Sequence, residues 1–190
     1  MKVAPFAFKY MCKKMKTNVV FIFSNTEKAM KKNTEFFERS EQTCWNKLQK
    51  LNEKHHYFVT LGQTSNGEKA THWDASGVTS DGRKVLIELK NRNAVLTEAA
   101  TVSGTNFNAD TILIEHSKVA ILMLEHNING FTPLYINFLS DGNVLIHNLL
   151  HLTGYKTLEF GNVTNNGYGG VETNARRLGL FVKDANVVRA

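Results

Sequence analysis

Between residues 26 and 54 apolar side chains return at helical intervals, and beyond residue 57 the interval shortens to that of strands. Met30, Phe37, Cys44, Leu48 and Leu51 share one face if Thr26 to about Lys54 is a helix. That segment has no Gly or Pro, and Ser24 or Asn25 supplies a cap for its start. "YFVTL" (57–61) reads as a short strand and "GQTSNGE" as a loop. Two hairpins follow, both turning on the tripeptide Ser-Asp-Gly, at 80–82 and at 140–142. Between them Asp110 reads as the N-cap of a helix running to about His126. The tail from Thr153 holds "GNVTNNGYGG", a loop by composition, and then the strand-like "LGLFVK". The first 25 residues are basic and aperiodic, and read as a loosely ordered arm with a short strand at Val19–Phe23.

The first hairpin carries charge where a strand is normally apolar. Glu88 interrupts Val85-Leu86-Ile87, and Lys90 comes two residues later. In an extended chain Leu86, Glu88 and Lys90 share one face, opposite Val85, Ile87 and Leu89. A two-residue Asp-Gly turn sets Asp74 opposite Leu89, on the wrong face. A three-residue Ser-Asp-Gly loop, with Gly82 in the left-handed region, sets Asp74 opposite Glu88 instead. The second hairpin favours the same loop, which pairs Phe138 with Val144 and Ile136 with Ile146 into an apolar face. The three-residue loop is therefore expected twice, and Asp74, Glu88 and Lys90 converge.

Two carboxylates held close repel each other, and a nearby cation relieves the repulsion. Their oxygens suit Mg²⁺, which takes one or two carboxylates and keeps several waters. Asp74 and Glu88 are thus candidate metal ligands, with the backbone carbonyl of Leu89 as a third. Lys90 is placed to hold an attacking water or to stabilise a charged transition state. Against this stands an ordinary strand face with a salt bridge. A zinc set built on His147 and His151 is disfavoured, because His147 falls in a strand and no Cys or acidic cluster completes it.

Charge and composition sharpen the class. The formal charge of +6 and the pI of about 9.3 favour an anionic partner. Two cysteines, Cys12 and Cys44, make no disulfide framework, which favours a reducing compartment. No apolar run approaches the roughly 20 residues of a membrane span, and "NVVFIF" (18–23) is too short for a signal-peptide core. A cytoplasmic protein without membrane attachment is expected.

The stretch "WDASGVTSDGRKVLIELKNR" resembles the core of the PD-(D/E)XK nuclease superfamily, whose signature is an acid followed by Glu/Asp-x-Lys on the next strand. Asp74, Glu88 and Lys90 match it, with Trp73 where the signature has proline. "IELKNR" is particularly similar to the archaeal-type Holliday junction resolvase branch. The resemblance covers roughly residues 26–152. It implies an α/β, restriction-endonuclease-like fold with a mixed sheet of four to five strands and a helix on each side. It further implies a core at 26–152 between the arm (1–25) and a C-terminal extension (153–190). The activity implied is a Mg²⁺- or Mn²⁺-dependent DNA endonuclease with catalytic Asp74, Glu88 and Lys90. Selectivity for junctions, flaps or ends is expected, in recombination, repair or replication, because no separate recognition domain is visible.

The same resemblance makes Glu41 or Glu38 an accessory metal residue on the first helix, against the alternative of solvated glutamates. It makes Lys118 a phosphate contact on the second helix, or else a solvated lysine. Asn91, Arg92 and Asn93 follow the motif and are candidates for the DNA backbone, with plain surface placement as the alternative. Partners expected are duplex or branched DNA and a homodimer mate. RNA and single strands stay open. The competing class is a non-catalytic nucleic-acid-binding or assembly protein that keeps the fold.

Overall fold

The computed structural model describes residues 39–64, 72–96, 111–159, 163–164, 172–173 and 176–190. The N-terminal arm, its strand at Val19–Phe23, Met30, Phe37, Glu38 and the Asp110 cap lie outside the described residues. Glu38–Val163 together with Asn174–Ala190 make one compact unit, and the following concerns that unit.

Helix α1 occupies 39–55 and leads into β1 (Phe58–Gln63). The first hairpin is β2 (Ala75–Thr79) and β3 (Lys84–Arg92). β4 (Thr111–Glu115) runs directly into α2 (His116–Asn129), which stops at Gly130 in the left-handed conformation, φ 72°. β5 (Thr132–Leu139) and β6 (Asn143–Asn148) form the second hairpin. After β7 (Tyr155–Glu159) the chain leaves this unit at the short strands β8 (Val163–Thr164) and β9 (Glu172–Thr173) and returns to it for β10 (Arg176–Phe181) and β11 (Asn186–Arg189).

The main sheet has six strands in the order β1-β2-β3-β5-β6-β11. It is mixed: β3 and β5 are parallel, and its other neighbours are antiparallel. Parallel neighbours need a crossover, and α2 lies within the one that joins β3 to β5. Both faces of β3 are covered, which is why its apolar run is nearly continuous. Cys44, Leu48 and Leu51 of α1 pack on Val85, Ile87, Leu89, Ile136 and Phe138. On the other face Leu86, Tyr135 and Leu145 meet Leu122 of α2, together with Ile112, Ile114, Leu178 and Leu180. Those last four belong to a second sheet in the order β4-β10-β7.

Both hairpins adopt the expected register. Ala75 pairs with Ile87 and Ser76 with Leu86, while Phe138 pairs with Val144 and Ile136 with Ile146. Gly82 and Gly142 have φ of 84° and 82°, the left-handed third position of each loop.

Three expectations need correction. The main sheet has six strands, not four or five, because β11 adds to β6. The helix expected at 110–126 starts later: "TILIE" is β4 and α2 covers His116–Asn129. The run of Thr and Ile suits a strand buried on both faces, and tertiary burial overrides the helical reading. The segment after 152 is also more than an extension laid on a core. β10 is the middle strand of the second sheet, and β11 closes an edge of the first.

Candidate functional site

Asp74 sits immediately before β2, and its amide donates to the carbonyl of Ile87 at 2.9 Å. The β2–β3 register carried one step further sets it opposite Glu88. The Asp74 carboxylate reaches along the strand and accepts from the amide of Leu89, Oδ2 at 2.7 Å. Alternate carbonyls of a strand point the same way, so the Leu89 carbonyl follows that of Ile87 towards the edge where Asp74 stands. The Asp74 carboxylate and the Leu89 backbone thus meet at the β2 edge of β3.

Glu88 is wholly buried, at 0% side-chain exposure, and lies between two ammonium groups. Lys90 Nζ is 3.0 Å from Oε1, and Lys118 Nζ is 3.0 Å from Oε2. Lys118 projects from the first turn of α2 and also donates to the carbonyl of His72 at 3.2 Å. Each oxygen of Glu88 therefore already faces one ammonium group.

The electrostatics follow from burial and crowding. Burial first, and then the charge of Glu88, push the Asp74 carboxyl up to about 6, against partial relief from the Leu89 amide and the two lysines. Burial works against the Lys90 charge, but Glu88, Tyr135 and Asp74 outweigh it and hold the ammonium above the usual lysine range. Lys90 is thus a firmly protonated donor.

A cleft of about 100 Å³ opens beside Glu88, Lys90 and Lys118, room for a few waters or one compact anion. It is lined by Glu88, Lys90 and Arg92 of β3, by Leu113, Ile114 and Glu115 of β4, by Lys118, and by Arg177 of β10. Sequence reasoning passed over Glu115 as a cleft residue and Arg177 altogether. The signal for Arg177 was the basic pair at the head of "RRLGLF", but nothing local says which sheet that strand joins.

Arg92 and Asn91 point to opposite faces of β3. Arg92 is turned inward, donating to the carbonyl of Leu113 at 2.5 Å, the Tyr135 hydroxyl at 2.6 Å and Asn137 Oδ1 at 3.2 Å. It braces β3, β4 and β5 beneath the cleft. Asn91 points to the opposite face and accepts from Lys47 of α1 at 2.6 Å. Period-two alternation separates it from Lys90.

Glu41 of α1 is half-buried. Burial first, then the charge of Asp74, and more weakly Glu41, raise the nearby Cys44 thiol to about 11. Trp73 is partly buried and packs against the core cluster that contains Leu86, Tyr135 and Leu122. His147 is buried, with Nε2 3.0 Å from the Phe181 carbonyl, and burial lowers its pKa. Among the described residues no group of three or more His, Cys, Asp or Glu side chains could hold a metal ion. Two carboxylates with a backbone carbonyl remain within what Mg²⁺ accepts. No described helix is long and apolar enough to cross a membrane.

Comparison with protein-family models, curated proteins and solved structures finds no match to this chain. Any family likeness rests on its own residues.

Proposed function

We propose that the protein is a Mg²⁺- or Mn²⁺-dependent endonuclease of the PD-(D/E)XK type, with a restriction-endonuclease-like core, that hydrolyses DNA phosphodiester bonds. The carrying observation is the buried Glu88 paired in register with Asp74, with Lys90 3.0 Å from one oxygen and Lys118 3.0 Å from the other. An exposed strand face with a salt bridge would not bury its carboxylate completely or surround it with a cleft.

Asp74, Glu88 and the Leu89 carbonyl would hold the divalent ion. When bound, such an ion lowers the pKa of water and neutralises charge on the phosphodiester. The chain's own groups supply the rest. Lys90, kept protonated, donates to the charge that develops on the phosphoryl oxygens. Lys118 donates to a non-bridging oxygen and so orients the phosphate. Arg92 fixes the strand ends through Tyr135 and Asn137 and holds the acids in place. Selection of junctions, flaps or ends remains part of this reading, since a cleft of about 100 Å³ has room for one phosphate and offers little surface for base edges.

The deciding assay offers linear duplex, single strands, four-way junctions and RNA to the purified protein with Mg²⁺ or Mn²⁺. Cleavage of DNA by wild type, lost in Asp74→Asn and in Glu88→Gln, is the expected outcome. A parallel thermal melt should show stabilisation of about 2.7 kcal/mol at a hundredfold excess of metal over its dissociation constant. Absence of both cleavage and metal stabilisation, with DNA present, would leave a binding or assembly protein.

A further inference from the structure

The outward side of α1 is polar and basic. Arg39, Gln42, Thr43, Asn46, Lys47 and Lys50 recur at intervals of three and four residues and so share one face. Lys47 is half-buried and the others are exposed. The opposite stripe of Cys44, Leu48 and Leu51 is packed on the main sheet. Three of the outward residues are cationic and none is acidic. Glu41, the one carboxylate between Arg39 and Lys50, stands two residues from Arg39 and so falls across the helix. Among the described residues no ion pair engages Arg39, Lys47 or Lys50.

The Lys47 ammonium is held in place without being neutralised. It donates to Asn91 Oδ1 at 2.6 Å and lies 5.8 Å from the centre of the Phe138 ring. An amide oxygen and an aromatic face fix the side chain but carry no net charge. Asn91 follows Lys90 directly on β3. The Lys47 head group therefore stands at the end of the strand that carries Glu88 and Lys90, on the other face from them.

We propose that this face of α1 binds the backbone of a nucleic-acid strand, with Asn91 presenting the Lys47 ammonium to a phosphate. Arg39 and Lys50 lie about 17 Å apart along the helix axis, a length over which one strand of a duplex carries about five phosphates. A lipid surface would require an apolar face beside the charges, and α1 buries its own in the core. Polar residues between cations suit a phosphate backbone, which is bound by charge and hydrogen bonds alone. That the bound strand is a substrate rests on the nuclease reading; the charge of the face requires no metal. The competing role is structural, with Lys47 and Asn91 bracing α1 against β3. A brace affects stability and leaves the salt dependence of binding untouched.

The test is fluorescence anisotropy with labelled single-stranded and duplex oligonucleotides in EDTA, across about 50 to 200 mM KCl. Lys47→Gln should bind about tenfold more weakly whatever the sequence, as for one lost charge-assisted contact. It should also lower the slope of log affinity against log salt by about one, whereas Lys47→Arg keeps the slope. Arg39→Gln/Lys50→Gln, both at exposed positions, should lower it by about two. Lys84→Gln removes the same charge from the exposed start of β3 and should leave the slope unchanged. Natively folded Lys47→Gln with wild-type affinity and slope would overturn the proposal, as would a Lys84→Gln slope lowered equally. Should Lys47→Gln fail to fold, an unchanged slope in Arg39→Gln/Lys50→Gln overturns it instead. Binding of polyglutamate or phosphatidylserine vesicles, dependent on Lys47, with no binding of oligonucleotides would assign the face to another partner. Cleavage with Mg²⁺ run alongside separates the two readings. A wild type that cuts while these variants keep its slope sinks only the role of α1. A wild type that never cuts, yet loses slope with these cations, sinks only the chemistry. No nucleic-acid binding by wild type in any arm sinks both.

Discussion

Glu88 is gripped by two ammonium groups, whereas Asp74 is gripped by an amide, so the two acids respond to removal in opposite directions. Asp74→Asn keeps an acceptor for the Leu89 amide and removes a carboxylate that burial and Glu88 disfavour. The metal-free variant should be more stable than wild type at pH 7 to 8. Glu88→Ala leaves Lys90 and Lys118 facing each other in a half-buried site. Lys90 is 43% exposed and Lys118 25%, so the loss falls between the ~0–1 kcal/mol of an exposed pair and the ~3–5 of a buried one. A destabilisation of about 1–3 kcal/mol is expected. Denaturant titrations in EDTA check both signs, and stabilisation by Glu88→Ala would contradict the double ion pair.

The same carboxyl sets a pH dependence. Asp74 titrates near 6 in the folded protein against 3.8 for an ordinary aspartate, so the folded state binds the proton more tightly than the unfolded one. Its stabilising contribution is fully present below about pH 4 and is lost as pH rises through 6. Asp74→Asn should remove this component from a stability profile recorded between pH 4 and 8 without metal. Because a ligand carboxyl must be deprotonated, Mg²⁺ affinity measured by calorimetry should fall as pH drops below 6.

At the scale of elements, hairpin geometry decides which side chains meet. Gly82 and Gly142 close their loops at φ 84° and 82°, with nothing near enough to obstruct an added methyl. Gly82→Ala or Gly142→Ala should therefore cost only backbone strain, about 1–2 kcal/mol by thermal denaturation. Gly77 is a different case. A Cβ there would press on the carbonyl oxygen of Thr60 in β1, which the β1–β2 irregularity between Phe58 and Thr60 brings close. Gly77→Ala should cost about 1–3 kcal/mol, and because β2 carries Asp74 at its start, metal binding should weaken with it. Loss of stability with metal affinity untouched would show that β2 shifts without carrying Asp74.

For the whole molecule, the C-terminal strands belong to the structure that holds the site. Leu178 and Leu180 are 5% and 0% exposed in the core shared with Leu86 and Tyr135 of the main sheet. A chain ended after residue 175 loses β10 and β11 and uncovers the face that carries Glu88. That truncation should lack near-ultraviolet circular dichroism and any cooperative transition, whereas the intact unit should unfold in one step. A cooperatively folding truncated protein would restore the reading of the tail as an appendage.

How much was legible beforehand divides along one line. Interactions between neighbours in sequence were readable. The Ser-Asp-Gly loops specify their register through left-handed glycines, and register alone put Asp74 opposite Glu88 and Lys90 on the same face. The α1 stripe of Cys44, Leu48 and Leu51 was readable from helical period alone. What lay hidden depends on pairing between strands far apart in the chain. "TILIE" is a strand because β10 pairs with it, sixty-odd residues later, and nothing local distinguishes a buried strand from the start of a helix. Arg92 turns inward because β4 presents a carbonyl to it, and Arg177 reaches the cleft because β10 lies beside β4. The sequence by itself determined the acids, the lysine and their common face, since turn chemistry and a two-residue period act within a hairpin. Only the tertiary structure decided what surrounds them, because a second sheet closes the cleft through contacts that no local pattern encodes.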